Sequence, residues 1–282
     1  MAVEFRSLER GFGAEVVGVA HNLAVGEATF RKIEAAWHRH SILIFRGLDM
    51  TPQEQIAFTR RFGPLHVMMP PEFNLESHPE ILVVGNAESE GRLLGLRRAG
   101  MGFHTDGEDK PVPNAGSFLY ALEVPPEEGD TIFADMYAAC EAVPQAVRAR
   151  LAGRRARFSR TALHHVHYPH LPPLGEIETL QRPDVFHPIL RRHPKSGRVA
   201  LYIGRWACDI EGLPHEEGRA LVAYLQEFAR QERFLHRHRW RVGDAVLWDN
   251  RCTQHSATPF GESRYIRLMH RTTIEGETPV MV

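Results

Sequence analysis

The spacing of apolar residues predicts a few amphipathic helices among many short strands. Helical spacing occurs at residues 28–40 and 215–231. The segment from Thr51 opens with an N-cap followed by proline, which predicts a helix that ends near Gly63. Short apolar runs bounded by turn residues predict strands at 41–47, 80–86, 115–124, 130–136, 199–205 and 244–250.

This pattern favours a mainly β fold with flanking helices, a double-stranded β-helix (jelly roll), over a parallel α/β sheet. The 282 residues contain no repeat and no long linker, and we expect one domain over residues 1–282. Residues 88–101 carry three glycines and no strong period, which predicts a mobile loop that acts as a lid. Its Arg97 and Arg98 are more typical of solvated loop charges than of anion contacts.

Composition excludes several classes of partner. The 34 basic residues nearly balance the 35 acidic ones, which argues against nucleic acid or an anionic membrane as partner. The sequence shows neither a signal peptide nor a run of 18 apolar residues, so we expect no membrane span. Three widely spaced cysteines fit a reducing compartment, and we expect a cytoplasmic protein, with a dimer or tetramer as its assembly.

The sequence contains 17 histidines, and two groups of them are candidates for binding a metal. The group from His164 to His170 lies among arginines and prolines, which predicts an exposed loop and not a metal site. The second group begins with His104 and Asp106, which point the same way on extended chain and can face one ion. A histidine and an aspartate two positions apart are weak evidence alone. However, His255 follows a predicted strand that a jelly roll can bring alongside these two residues. Two histidines and one carboxylate leave three positions open, as in non-haem Fe(II) oxygenases.

Further motifs turn this into a family resemblance. They are FGPLH at 62–66, GDT at 129–131, HP at 187–188, HPxxGR at 193–198, WDNRCTQH at 248–255 and RLMHR at 267–271. With His104 and Asp106, these motifs run in family order over about residues 5–276. The chain resembles the taurine/2,4-D dioxygenase (TauD/TfdA) family of Fe(II)- and 2-oxoglutarate-dependent oxygenases.

The resemblance implies a role for each matching residue. His104, Asp106 and His255 are the expected iron(II) ligands and catalytic centre, with O₂ and 2-oxoglutarate as cosubstrates. Arg267 and Thr131 are expected to bind the far carboxylate of 2-oxoglutarate, and Arg271 to lie near cosubstrate and substrate. The implied reaction (EC 1.14.11 class) hydroxylates a small organic acid, or cleaves it after hydroxylation, and releases succinate and CO₂. Because Asp106 is retained, halogenation is not expected.

The substrate pocket departs from the family pattern. Met68, Pro71 and Gly100 stand where taurine-using members carry histidine, tyrosine and asparagine. We therefore expect a substrate other than taurine, such as a carboxylate or phosphonate with a larger apolar body. The expected pocket residues besides Arg271 are Met68, Met101, Phe103 and Trp206, while Met69 is expected in the core.

Two other functions use the same residues. A zinc hydrolase could carry the same three ligands and a water, but it has no evident use for Thr131 and two arginines. A jelly-roll binding protein that has lost its chemistry is the second alternative, and the intact ligand set argues against it. A visible absorption band that develops with Fe(II) and 2-oxoglutarate would distinguish the oxygenase from a zinc hydrolase. Slow release of succinate from 2-oxoglutarate would distinguish the oxygenase from an inactive binding protein.

Overall fold

The computed structural model describes residues 2–69, 71–97 and 99–282. Within those ranges it contains seven α-helices: α1 Glu27–His40, α2 Pro52–Arg60, α3 Met136–Ala142, α4 Gln145–Leu151, α5 Arg160–His167, α6 Glu176–Leu180 and α7 His215–Ala229. Short 3-10 helices lie at Glu9–Gly11, Pro71–Phe73 and Glu232–Phe234. No helix in the described ranges combines the length and the apolar character needed to cross a bilayer.

Twenty strands make up the rest of the regular structure in the same ranges. In the first half they are β1 Glu4–Ser7, β2 Ala14–Val17, β3 Ile42–Phe45, β4 Leu65–His66, β5 Asn74–Leu75, β6 His78–Gly85, β7 Glu88–Ser89, β8 Arg92–Leu93, β9 Gly116–Glu123 and β10 Thr131–Asp135. In the second half they are β11 Arg155–Phe158, β12 Val185–Pro188, β13 Leu190–Arg192, β14 Val199–Leu201, β15 Ala207–Ile210, β16 Leu235–His238, β17 Ala245–Asp249, β18 Thr253–Ala257, β19 Leu268–Ile274 and β20 Val280–Met281.

Two sheets enclose the region where the predicted ligands lie. The major sheet runs in the order β1-β2-β3-β17-β9-β19-β6-β5, with β4 also paired to β19, and the opposing sheet is β16-β10-β18. Phe133 of the small sheet packs on Trp248 of the large one, with ring centroids 5.7 Å apart. The same apolar cluster includes Leu82, Leu119 and Met269 of the large sheet. The predicted mainly β, jelly-roll fold is confirmed.

Local sequence explains why the flanking helices begin where they do. Thr51 accepts a hydrogen bond from the Glu54 backbone and Glu54 accepts one from the Thr51 backbone, a capping box with proline at the first helical position. Helix α1 buries Phe30, Ile33 and Trp37 on the face predicted from their spacing. The three cysteines are buried and free, in keeping with the absence of a disulfide framework expected from their spacing.

Two sequence predictions are wrong. Residues 164–167 belong to helix α5, not to an exposed loop, because Ser159 caps the helix and the side chain of His164 is buried. Met69 is 71% exposed and does not belong to the core, because the chain leaves β4 just before it. Segment 88–101 contains the hairpin of β7 and β8 and is bridged to its neighbours at Leu96 and Met101, while its mobility stays a prediction.

Candidate metal centre

Three potential ligand side chains converge between the two sheets. His104 and His255 exchange two backbone hydrogen bonds, at 3.0 and 2.9 Å, which ties the segment before β9 to strand β18. The Nε2 atoms of both histidines lie 3.9 Å from Asp106 Oδ1. All three donor atoms fall within 4.8 Å of one another, so a single ion can reach them.

Burial keeps both imidazoles neutral and ready to bind a metal. It lowers the pKa of His104 from 6.5 to about 4 and lowers the pKa of His255 well below its usual value. His104 Nδ1 lies 2.9 Å from the Gly102 carbonyl oxygen, an arrangement that leaves Nε2 free to face the ion. A neutral ring with a free Nε2 is the form in which histidine binds a metal.

The Asp106 carboxylate is held in place by two donors. Ser117 Oγ donates to Oδ2 at 2.7 Å, and the Arg271 guanidinium donates to Oδ1 at 3.0 Å. Burial alone would raise the pKa of Asp106, but the Arg271 guanidinium and the Ser117 hydrogen bond favour the anion, and the pKa lies below its usual range. The group is therefore an anion at neutral pH. Two neutral imidazoles and one carboxylate on one side of an ion form a donor set that fits Fe(II).

The predicted cosubstrate residues line a narrow cavity beside His255. Thr131, Arg267 and Arg271 all border it, together with Trp248 of the large sheet. Arg267 is 5% exposed, and within the described ranges no carboxylate lies within ion-pair distance of its guanidinium. Burial lowers the pKa of Arg267 from the ordinary arginine value to about 10. Trp240 Nε1 donates to Thr131 Oγ1 at 3.0 Å, so the hydroxyl proton remains available to a bound carboxylate.

A larger cavity of about 310 Å³ adjoins the narrow one. Arg267, Val84, Ala99 and Ala257 border both cavities, and Met101 borders the larger one. Gly100 borders the narrow cavity, and a Cβ there would lie 3.5 Å from the His104 ring. The arginine is therefore at the junction of two spaces, of which the narrower one borders His255.

The other predicted pocket residues lie in different surroundings. Met68 packs against the cluster that holds Leu82 and Leu119. Phe103 and Trp206 pack in a separate cluster and border neither cavity. Pro71 is exposed. Arg97 forms an exposed ion pair with Glu262, as expected of a loop charge, whereas Arg98 and Pro70 lie outside the described residues.

Sequence reasoning missed Glu108, which holds the backbone of the segment that carries His104 and Asp106. Its carboxyl group is buried and accepts the backbone N–H groups of Thr105 and Trp206, each at 2.8 Å. A Cβ at Gly204 would overlap this carboxyl group, so the glycine makes room for it. Burial raises the pKa of Glu108 to about 8, although the two backbone hydrogen bonds act to lower it. No motif marks a buried glutamate of this kind.

A second group of possible ligands, His38, His193 and Asp249, also has its donor atoms within 4.8 Å. Both oxygens of Asp249 already accept hydrogen bonds from Arg251, and Oδ2 lies 2.9 Å from His193 Nε2. His193 Nδ1 accepts two backbone N–H groups, so its Nε2 carries the proton and donates to Asp249. This group is a buried ion-pair network whose donor atoms are already used.

Comparison with known proteins identifies the family. Residues 4–273 match the family model described as "Taurine catabolism dioxygenase TauD, TfdA family". The chain is 35% identical to the alpha-ketoglutarate-dependent 2,4-dichlorophenoxyacetate dioxygenase of Cupriavidus pinatubonensis, covering 98% of this chain and 99% of that one. It is 34% identical to the (S)-phenoxypropionate/alpha-ketoglutarate-dioxygenase of Sphingobium herbicidovorans, with 98% and 96% covered.

Solved structures agree with these relatives. The crystal structure of AAD-2 in complex with Mn(II) and N-oxalylglycine superposes with a TM-score of 0.84 at 28% identity, covering 99% of each chain. A taurine dioxygenase from Burkholderia xenovorans superposes with a TM-score of 0.82 at 26% identity, covering 100% of this chain and 92% of that one. The chain therefore belongs to the TauD/TfdA family and is an Fe(II)- and 2-oxoglutarate-dependent dioxygenase that acts on a small organic molecule.

Proposed function

We propose that His104, Asp106 and His255 bind the iron and that Arg267 and Thr131 bind the far carboxylate of 2-oxoglutarate. The observation that carries this proposal is the buried Arg267 guanidinium, which has no carboxylate partner among the described residues. A buried, unpaired charge is costly, and a dicarboxylate in the adjoining cavity would offset that cost with a bidentate ion pair. The free hydroxyl proton of Thr131 supports the same binding mode.

The bound iron supplies O₂ activation coupled to decarboxylation of 2-oxoglutarate. The protein's own groups orient the reactants. The Gly102 carbonyl oxygen holds the His104 ring, and Ser117 holds the Asp106 carboxylate. Apolar walls of the narrow cavity, formed by Val84, Leu119 and Trp248, limit the entry of water.

We further propose that the substrate is a carboxylic acid with an apolar body, in the manner of an aryloxyalkanoate, and not taurine. Arg271 would bind the acid group. Met68 and Met101 would border the apolar body, since both are adaptable side chains near the candidate centre. Two relatives are named for 2,4-dichlorophenoxyacetate and (S)-phenoxypropionate, which supports an acid of this class. The expected reaction is hydroxylation, with cleavage where the hydroxylated product is unstable.

A panel of acids tests this assignment. Wild-type protein with Fe(II) is supplied with aryloxyalkanoates, sulfonates and phosphonates, and succinate formation is measured for each. We expect an aryloxyalkanoate to stimulate succinate formation more than taurine does, and Asp106→Ala to abolish the stimulation. Efficient turnover of taurine would overturn the substrate class, and full turnover by Asp106→Ala would overturn the ligand assignment.

The remaining features of the account are also proposals. We propose that residues 1–282 form one domain and that segment 88–101 is a lid over the site, since its Met101 borders the larger cavity. We expect a cytoplasmic homo-oligomer, a dimer or tetramer, that binds neither nucleic acid nor membranes. The near-neutral charge and the three unpaired cysteines support this expectation. Light scattering of the purified chain measures the oligomeric state.

A further inference from the structure

A lysine lies close to the candidate centre, and among the described residues it forms no ion pair with a carboxylate. Lys110 is half-buried, four residues past Asp106, and its Nζ lies 2.9 Å from His66 Nε2. Burial lowers the pKa of His66, so its ring accepts from the ammonium group as a neutral partner. The aliphatic part of the Lys110 side chain packs close to Gly107, since a Cβ on that glycine would lie 3.3 Å from Lys110 Cδ.

The carboxylates of Asp109 and Asp106 are already paired with other groups, and Glu275, the third carboxylate near this lysine, is exposed. Asp109 accepts a hydrogen bond from Arg160 at 3.2 Å, and Asp106 accepts from Ser117 and Arg271. Among the described residues, no carboxylate lies within ion-pair distance of Lys110 Nζ, and His66 accounts for one of its three protons. The ammonium group therefore retains donors for an anion.

Strand pairing places this lysine on the same face of the large sheet as the ligands. His66 lies opposite Thr273 of β19, and Ser117 of β9 lies opposite Thr273 from the other side. Residues opposite each other in a sheet point to the same face. Ser117 reaches Asp106 from that face, so His66 and the Lys110 that contacts it lie on the ligand side as well.

The order of side chains in β19 and in the residue just before it separates two anion sites. Arg267 borders the narrow cavity next to Thr131, where the cosubstrate is proposed to bind. Arg271 is four residues further on and contacts Asp106, and Thr273 with its partner His66 follows after it. Lys110 is therefore on the far side of Arg271 from the cosubstrate residues. An anion held there would lie on the opposite side of Arg271 from the cosubstrate.

We propose that Lys110 and Arg271 together form a two-cation subsite that binds the acid group of the substrate. This inference rests on the proposed function, in which Arg271 alone was assigned to the acid. Met68 packs against the apolar cluster that includes Leu82 and Leu119, the residues opposite Arg271 in the neighbouring strands, and this cluster would supply the apolar wall of the subsite. The subsite selects a carboxylate, or a more highly charged acid, attached to an apolar body.

Equilibrium binding tests this subsite without relying on turnover. The anaerobic protein with Fe(II) and 2-oxoglutarate is titrated with 2,4-dichlorophenoxyacetate and, separately, with its uncharged amide, and the change in visible absorption is followed. Lys110→Met should weaken binding of the acid about tenfold or more, as loss of one charge-assisted hydrogen bond predicts, and leave the amide unchanged. Lys110→Arg should bind the acid within a few-fold of the wild type. Lys32→Met, on the exposed face of α1, is the matched control for lost charge and should bind like the wild type.

Steady-state kinetics should also show an effect on the acid and not on the cosubstrate. With Lys110→Met, KM for the acid should rise while kcat and the affinity for 2-oxoglutarate stay within about twofold of wild type, because Lys110 contacts neither the proposed ligands nor Arg267. Equal loss of acid and amide binding would mean that Lys110 only supports the fold, and it would overturn the subsite. Unchanged acid binding in Lys110→Met would also overturn it and leave the proposed function standing. A wild-type protein that binds 2-oxoglutarate but none of the panel acids would overturn both.

Discussion

Replacing Arg267 by methionine should stabilise the protein in the absence of 2-oxoglutarate. The guanidinium is buried without a carboxylate partner in the described ranges, and burial lowers its pKa from the ordinary arginine value to about 10. One pKa unit corresponds to about 1.4 kcal/mol, so holding this charge in the fold costs roughly 3 kcal/mol. Methionine fills similar space without a charge. The variant should therefore gain up to about 3 kcal/mol in the free energy of unfolding.

Bound 2-oxoglutarate should reverse much of this difference. At a concentration of about 100 times its Kd, the cosubstrate stabilises wild-type protein by about 2.7 kcal/mol. If the variant binds it about 100-fold more weakly, the same concentration adds only about 0.4 kcal/mol. The advantage of the variant should shrink by about 2 kcal/mol when the cosubstrate is added to the protein with Fe(II) under anaerobic conditions.

Urea unfolding of both proteins, with and without 2-oxoglutarate, measures the two effects. Arg6→Met is the control, because that arginine is on the surface and should change stability by less than about 0.5 kcal/mol. An Arg267→Met protein that is less stable than wild type without 2-oxoglutarate would refute the reasoning, since the guanidinium would then have a partner in the fold. Equal stabilisation of both proteins by 2-oxoglutarate would refute its assignment to the cosubstrate.

Three further predictions concern groups around the centre and in the core. Ser117→Ala removes the hydrogen bond to Asp106 Oδ2 and should weaken Fe(II) binding about tenfold, measured by competition with a chelator. Glu108→Ala leaves two buried N–H groups unpaired and should lower the free energy of unfolding by about 2–6 kcal/mol in urea; a loss below 1 kcal/mol would contradict it. Burial lowers the pKa of four histidines from 6.5 to about 4: His38, His187, His236 and His270. Between these pH values the four rings bind more protons in the unfolded chain than in the folded one, so stability should fall as pH drops from 6.5 to 4, against the smaller and opposite contribution of Glu108; no change across that window would count against the buried neutral rings.

Sequence periodicity predicted the elements whose own residues determine them. Helix α1 and helix α2 begin within a residue of the predicted positions, because capping residues and apolar spacing are local signals. Strand β17 was likewise evident as a short apolar run. The region from His164 to His167 was not, because Ser159 lies upstream of the histidines and its capping role was overlooked.

The ligands were predictable and their supports were not. His104, Asp106 and His255 stand in motifs, and the structure brings their donor atoms together. Ser117 reaches Asp106 from the start of β9, eleven residues further along the chain, and no sequence motif marks that contact. Lys110 was missed for the same reason, since its neighbours come from β4 and β19. Contacts between distant strands leave no local pattern.

The most direct test of the account is the absorption spectrum of the anaerobic protein with Fe(II) and 2-oxoglutarate. If the iron is bound by His104, Asp106 and His255 and the cosubstrate reaches Arg267, a visible metal-to-ligand charge-transfer band should develop. The band should be absent from His255→Ala, and in Arg267→Met it should require about 100-fold more 2-oxoglutarate. A wild-type protein that binds the metal and develops no band, or a His255→Ala protein that keeps the full band, would contradict the account.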